Sequence, residues 1–323
     1  MKPIISITNK FPDAGLEVLR PHCELRLNES GLPPNQEKLK LMAELSNAMI
    51  TYLSDKIDAN VIDVGKNLKI ISNYAAGFNN VDYNYAAKKE IWVTNTPGVL
   101  HETTADLTWA MMLAAARRIV SADRFTREEK FSGWEADLFL GHDIYGKTLG
   151  IIGCGEIGRA VARRASGFGM RVLYYQRSQL ESYKEDSLNL QYVSFKELIE
   201  QSDFITLHLP LNDDSRYLFG PDEFRLMKST AVFINAARGK VVDDKALLEA
   251  VRKNEIAAAA LDVYENEPEI VEGLLEEENI LVLPHIGSAS YETRDRMAVL
   301  AAHNVLDALD GKKPRSAVNN FKT

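Results

Sequence analysis

The feature that most constrains this chain is an alternation in which short apolar runs rich in β-branched residues are separated repeatedly by stretches with helical spacing. Residues 4–7, 48–51, 69–72 and 91–94 read as strands of a first series. A second series begins at residues 148–152 and continues through 171–175, 204–207, 231–234, 257–260 and 280–283. Strands that are apolar on both faces and joined by helical crossovers form parallel sheets covered by helices. The sequence therefore predicts an α/β protein with two doubly wound parallel-sheet domains. A helix is expected over residues 104–119 with Thr103 or Thr104 as its cap, and another over 288–309 with Met297, Leu300, Ala301, Val305 and Ala308 on one stripe. The charged run 124–130 between the two series reads as a solvated face.

Composition narrows the possible partners. With 323 residues, 46% hydrophobic and 26% charged, the chain can fill two cores. A net charge of -8 and a pI near 5.4 give no general attraction to nucleic acid or anionic lipid, so neither is expected as a partner. The first residues carry too short an apolar run for a secretory signal, and no stretch approaches the roughly 18 apolar residues of a membrane span. A cytoplasmic location is the expectation. Cys23 and Cys154 fit neither a disulfide framework nor metal-ligand spacing, so both are expected to be small apolar core residues, and no metal is expected.

The second series opens with a chemical signature. The apolar strand Thr148-Leu149-Gly150-Ile151-Ile152 runs directly into Gly153-Cys154-Gly155-Glu156-Ile157-Gly158, and a helical pattern follows. A first glycine permits a tight turn, a second lets backbone approach a pyrophosphate, and a third lets helix pack on strand, with the helix N-terminus facing the anion. A tight βα turn without a ligand is the plain alternative, but the strand before and the helix after point to a dinucleotide. NAD-selective folds place an acidic residue about 20 positions on, to accept from the ribose 2′-hydroxyl. Here the next strand runs into Gln176-Arg177-Ser178, which offers a neutral amide, a cation and a hydroxyl. That set suits a 2′-phosphate, so NADP(H) is the expected preference with NAD(H) also accepted.

Three later segments end in polar groups where strands stop, which is where parallel sheets bind ligands. They are Asn235-Ala236-Ala237-Arg238-Gly239, Asp262-Val263-Tyr264-Glu265-Asn266-Glu267-Pro268 and Pro284-His285-Ile286-Gly287. Taken singly, Arg238 reads as a surface cation, Glu267 as a helix-start carboxylate and His285 as a turn histidine. Together they resemble the D-isomer-specific 2-hydroxyacid dehydrogenases, in which an arginine after a strand, a glutamate before proline and a histidine after proline form the active site. Tyr145-Gly146-Lys147-Thr148, His208-Leu209-Pro210-Leu211 and the glycine fingerprint also fit, so the resemblance spans nearly the whole chain.

The resemblance implies two Rossmann-like domains separated by an active-site cleft. The substrate domain would be discontinuous, residues 1–98 plus 287–323, and the dinucleotide domain would be 99–286. The implied reaction is hydride transfer between a nicotinamide dinucleotide and a small 2-keto or 2-hydroxy acid. His285 would be the proton donor, Glu267 its partner, and Arg238 the ligand of the substrate carboxylate. Leu53, Ala76 and Gly77 would complete the substrate site, within Ala75-Ala76-Gly77-Phe78-Asn79-Asn80-Val81-Asp82 and the loop after residue 51; Ala76 stands where valine is common. Gly153, Gly155, Glu156, Ile157, Gly158, Gln176, Arg177, Ser178, His208, Pro210, Ala236, Ala237, Asp262 and Gly287 would hold the cofactor. Asp137-Leu138-Phe139-Leu140-Gly141 is similar to the corresponding segment of glyoxylate and hydroxypyruvate reductases, a resemblance by which Phe139 would reach the partner subunit's site. Phosphoglycerate dehydrogenases usually carry substrate-loop arginines, absent here from residues 51–55 and 73–82, and formate dehydrogenases of this fold pair the histidine with glutamine. Corepressor-like dinucleotide sensors share the three residues but add long tails. A homodimer is implied by the family.

Overall fold

The computed structural model describes residues 2–321, and the chain divides into two compact units, Met1–Leu100 with Ser288–Thr323, and His101–Gly287. The first unit runs β1 (Ile4–Ile7), α1 (Asp13–Leu19), β2 (Glu24–Leu27), α2 (Gln36–Glu44), β3 (Ala48–Thr51), α3 (Ala59–Val64), β4 (Ile70–Asn73), α4 (Tyr83–Lys88) and β5 (Trp92–Thr94). The second contains α5 (His101–Ala116), α6 (Ile119–Arg127), β6 (Thr148–Ile152), α7 (Glu156–Ala165), β7 (Arg171–Tyr175), α8 (Ser182–Leu188), β8 (Leu190–Tyr192), α9 (Phe195–Gln201) and β9 (Phe204–Leu207). It continues through α10 (Pro221–Leu226), β10 (Val232–Asn235), α11 (Asp244–Arg252), β11 (Ala258–Leu261) and β12 (Ile280–Val282), after which α12 (Tyr291–Leu309) belongs to the first unit.

Both sheets are parallel throughout. The five-stranded sheet has the order β2-β1-β3-β4-β5 and the seven-stranded sheet β12-β11-β10-β9-β6-β7-β8. In each, the chain moves outward from a central strand first one way and then the other, which opens a crevice at the carboxyl ends where the order reverses. That point lies between β1 and β3 in the first unit and between β6 and β9 in the second.

The strands are where apolar runs demanded them. β3, β4, β9, β10 and β11 are buried along their whole length, because helices cover both faces. In the first unit, α12 is buried along Met297, Ala298, Ala301, Ala302 and Val305 and packs on α1 and β4, where Ser72 Oγ donates to the Ala301 carbonyl at 3.1 Å. Cys23 and Cys154 are both buried and unpaired by disulfide.

The structure departs from the sequence reading in three places. β2 and β8 were not expected; both are edge strands with little or no buried surface, so their apolar signal is weak. The single helix expected over 104–119 begins earlier, at His101, and stops at Ala116, because Arg118 takes a left-handed backbone conformation (φ 51°). The chain then restarts as α6, which absorbs part of the charged run that read as a solvated face.

The second unit rests on an aromatic cluster on one side of its sheet. Phe233, fully buried in β10, lies 4.8 Å from the Phe219 ring and 5.3 Å from the Phe224 ring. Replacing it by alanine leaves a cavity that these rings cannot collapse to fill. Phe233→Ala is expected to cost about 3–5 kcal/mol of stability, measured by denaturant unfolding; a loss below about 1 kcal/mol would show that this cluster is not a main support of the unit.

Candidate functional site

Three strand ends of the second unit converge on one group of polar side chains. At the end of β10, the buried Asn235 fastens the turn that follows, its Oδ1 accepting from the Ala237 amide at 3.0 Å and its Nδ2 donating to the Arg238 carbonyl at 3.2 Å. Arg238 Nη1 donates to the Ala237 carbonyl at 2.6 Å, so the guanidinium is folded against its own turn. Burial presses the guanidinium below its usual value, with the Glu267 carboxylate opposing the effect.

Asp262, just past β11 and 1% exposed, directs its carboxylate at the next strand end, accepting from the Ile286 amide at 2.7 Å and the Gly287 amide at 2.8 Å. These bonds bracket the turn at His285, whose φ is 56°, an uncommon conformation for a residue with a side chain. Burial raises the Asp262 carboxyl, while the Ile286 and Gly287 N–H groups and the charge of His285 oppose that shift.

His285 Nδ1 meets Glu267 Oε2 at 2.8 Å, and Glu267 Oε1 accepts from the Tyr264 amide at 3.0 Å. A carboxylate on Nδ1 fixes the tautomer that carries hydrogen there and leaves Nε2 without a hydrogen-bond partner among the described residues, on a ring whose side chain is 30% exposed. Partial burial would raise the Glu267 carboxyl. The His285 hydrogen bond and charge, the Tyr264 amide and the Arg238 cation together hold it below the usual carboxylate range instead. The arginine and glutamate segments are in very close contact, since a Cβ at Gly239 would stand 1.7 Å from the Tyr264 carbonyl oxygen. The structure thus brings Arg238, Glu267 and His285 together. It also shows two residues that the sequence reading passed over, Asn235 and Asp244; the latter's Oδ2 accepts from the Glu265 amide at 2.9 Å. Nothing in periodicity distinguishes them from ordinary turn and helix-start residues.

The glycine segment lies at the strand reversal. Gly153 has φ 91°, and a Cβ there would stand 2.5 Å from the His208 carbonyl oxygen, while one at Gly158 would stand 2.3 Å from the Gly153 carbonyl oxygen. These two glycines are required by the protein's own backbone. Gly155 differs, because a Cβ there would meet no protein atom within 4 Å. It is the N-cap of α7 and supplies no side-chain cap, so the amides of Glu156 and Ile157 open the helix toward that space. His208 donates its amide to the Ile152 carbonyl at 2.8 Å, and its ring Nε2 is 2.9 Å from Thr206 Oγ1. The buried Nδ1 has no partner among the described residues, and burial pulls the imidazole down to about 3, so the ring is neutral. An open glycine, an uncapped helix and an orphaned ring nitrogen fit an anionic dinucleotide.

Other predicted cofactor positions serve the protein itself. Gln176 Oε1 accepts from the Cys154 amide at 3.2 Å and its Nε2 donates to the Ser178 carbonyl at 2.6 Å. Arg177 pairs with Asp214 at 3.1 Å, both largely exposed. The Pro210 carbonyl accepts from Ser215 Oγ at 2.7 Å. Ala236 and Ala237 form the turn after β10 and Gly287 the turn after His285.

Leu53, Ala76 and Gly77 lie in the first unit, past the carboxyl ends of β3 and β4. Asn80 Nδ2 donates to the Tyr52 and Asp55 carbonyls at 2.9 and 3.0 Å, Asn73 Nδ2 donates to the Gly77 carbonyl at 2.8 Å, and Asn95 Nδ2 donates to the Ala76 carbonyl at 2.7 Å. Leu53 is 39% exposed. Among the described residues no cluster of His, Cys, Asp or Glu could hold a metal ion, and no helix is long and apolar enough to cross a membrane.

The sequence profile of the D-isomer specific 2-hydroxyacid dehydrogenase NAD binding domain matches residues 109–287. A glyoxylate reductase of Korarchaeum cryptofilum is 45% identical over 321 residues, 99% of this chain and 96% of that protein. The crystal structure of a glyoxylate reductase from Paecilomyes thermophila superposes with a TM-score of 0.86 at 33% identity, covering 98% of each chain. An NADPH-dependent glyoxylate/hydroxypyruvate reductase from Sinorhizobium meliloti, solved with NADP and malonate, gives 0.84 at 28% identity over 98% of this chain and 97% of that one.

The open space at Gly155 yields a test that separates folding from binding. Gly155→Ala has an allowed backbone (φ -72°) and no neighbour to displace, so the thermal midpoint should not change. Dinucleotide affinity, followed by fluorescence titration, should fall at least about tenfold as the methyl occupies the approach to the helix N-terminus. Unchanged affinity would remove this turn from the cofactor site.

Proposed function

Because the chain belongs to the family of D-isomer specific 2-hydroxyacid dehydrogenases, we propose that it reduces a small 2-keto acid, glyoxylate or hydroxypyruvate, to the corresponding 2-hydroxy acid. The observation that carries this reading is the 2.8 Å contact between His285 Nδ1 and Glu267 Oε2, made beside Arg238 at the carboxyl edge of the sheet. A bound nicotinamide dinucleotide supplies the hydride. Gly153, Gly155, Glu156, Ile157, Gly158, His208, Pro210, Ala236, Ala237, Asp262 and Gly287 are its proposed contacts.

The chain's own residues do the rest. His285 donates a proton from Nε2 to the keto oxygen, and in the reverse direction takes it back. Glu267 accepts from Nδ1, which fixes the ring and favours the imidazolium needed for donation. Arg238 holds the substrate carboxylate with two forked donors and polarises the keto group. Leu53 and the backbone of Ala76 and Gly77 contribute the remaining substrate contacts, and the asparagine bonds to their loops keep that backbone in place. The protein works in the cytoplasm as a homodimer. Large apolar side chains exposed at Ile119, Val120, Phe131, Trp134 and Leu140 support a self-association surface along α6 and the segment after it.

Reduction of glyoxylate and hydroxypyruvate, followed at the nicotinamide absorbance band, tests the reading directly. His285→Ala is expected to lower kcat at least about a hundredfold while leaving dinucleotide affinity within about twofold, because the lost group is a proton donor. Near wild-type turnover in that variant would end the mechanism.

The preferred dinucleotide is NADPH. No carboxylate follows β7 to repel a 2′-phosphate, and Arg177 is held only by an exposed ion pair with Asp214, an interaction worth about 1 kcal/mol or less. A 2′-phosphate offers the guanidinium a stronger, bidentate partner. Gln176→Asp combined with Arg177→Ala should reverse the ratio of kcat/KM for NADPH over NADH. A wild-type preference for NADH, or a double variant with an unchanged ratio, would overturn the assignment without touching the catalytic residues.

A further inference from the structure

Behind the Glu267–His285 pair lies a buried carboxylate that the proposed chemistry does not use. Asp244 is the first residue of α11 and is 1% exposed. Its Oδ2 accepts from the Glu265 amide at 2.9 Å, within the turn that carries Glu267, while its Oδ1 is buried with no partner among the described residues. A buried carboxylate oxygen without a donor is costly, and it persists here beside the turn whose geometry the catalytic pair requires.

We propose that Asp244 is a positioning residue for the Glu267–His285 pair, anchoring the Glu265 amide and placing a second negative charge behind Glu267 that favours the protonated imidazole. The inference rests on the proposed role of His285 as proton donor. Asp244 touches the turn rather than the ring, so it acts through Glu265 and Glu267.

The surrounding charges set the sense of the effect. On α11 itself the neighbour is Asp243, whose carboxylate is committed to capping Lys245 and Ala246. On the segment after β11 are Asp262, whose carboxylate interacts with the charges of His285 and Glu267, then Tyr264, Glu265 and Glu267, and the Tyr217 hydroxyl donates to Glu265. The preceding segment carries Arg238, which faces Glu267, and Lys240. On α10, packed against α11, Asp222 and Arg225 pair with each other and Glu223 accepts from its own Gly220 amide. The immediate surroundings are thus dominated by negative charge. Burial pushes the Asp244 carboxyl up to about 6; the Glu265 amide opposes that, and the charges of Glu265, Asp243 and Glu267 add to it. The second charge is therefore present above about pH 6 and absent below it.

Asp244→Asn keeps an oxygen for the Glu265 amide and removes the charge. The ratio of kcat/KM for keto-acid reduction, variant over wild type, should be near one at about pH 5 and fall to about one third at about pH 8. In parallel, the His285 ring signal, assigned by its absence in His285→Ala, should titrate at lower pH in the variant than in the wild type. The ring titration needs no turnover, so a wild-type chain that reduces no keto acid would defeat the proposed function and still leave this inference decided by the titration. A ratio constant across the range, whether near one or uniformly low, or identical ring titrations, would overturn it. Asp244→Ala removes the anchor as well as the charge and should lower kcat about tenfold at about pH 5 and further at about pH 8. If that variant does not fold, the asparagine variant with an unchanged thermal midpoint decides.

Discussion

Two hydrogen bonds from the Ile286 and Gly287 amides to Asp262 hold the proposed catalytic end of this molecule in place. Each joins a backbone donor to a carboxylate, the stronger class of hydrogen bond, in a setting sheltered from water. Together they can offset the roughly 1 kcal/mol or more that a left-handed backbone costs a residue such as His285. The left-handed turn swings the imidazole back toward the preceding strand end, where Glu267 waits. Without Asp262, the turn has no evident reason to keep that conformation, and the 2.8 Å contact that fixes the histidine tautomer would lose its geometry.

The rest of the site depends on how closely the neighbouring strand ends approach. β10 and β11 are adjacent in the sheet, and Gly239 allows the chain after β10 to touch the Tyr264 carbonyl. That proximity sets Arg238 against Glu267 and lets a single cation influence the pair. It also concentrates carboxylates, since Asp244, Glu265, Glu267 and Asp262 fall within a short stretch of sheet edge. Such crowding is tolerable because four of the eight oxygens accept from backbone amides, which stabilise negative charge without contributing a cation.

Much of this was legible in the sequence because the chemistry was tied to strand ends. Runs such as Phe204–Leu207 and Val232–Asn235 are broken only by Thr206 and the terminal Asn235 and are buried along their whole length, as a doubly covered parallel strand requires, and each polar residue at or after their ends was a site candidate. The edge strands Glu24–Leu27 and Leu190–Tyr192 were not legible, since a strand with one neighbour and open faces has little burial to enforce a pattern. The break at Arg118 was equally hidden. The residues on either side of it, Ala116 and Ile119, are both compatible with a helix, so the interruption is a tertiary effect that local propensity does not announce.

What sequence could not separate was the division of labour among the polar residues at those strand ends. Asn235, Gln176, Asn73 and Asn80 spend their side chains on the protein's own backbone. His285 Nε2 and the amides at the start of α7 are not spent in this way. Both groups consist of polar residues in loops, and composition treats them alike. The distinction is one of geometry, because a side chain already satisfied by backbone can hold a loop still but has little left to offer a ligand. A catalytic edge needs both kinds in proximity, since an unspent donor is useful only where its neighbours have removed its freedom to turn away.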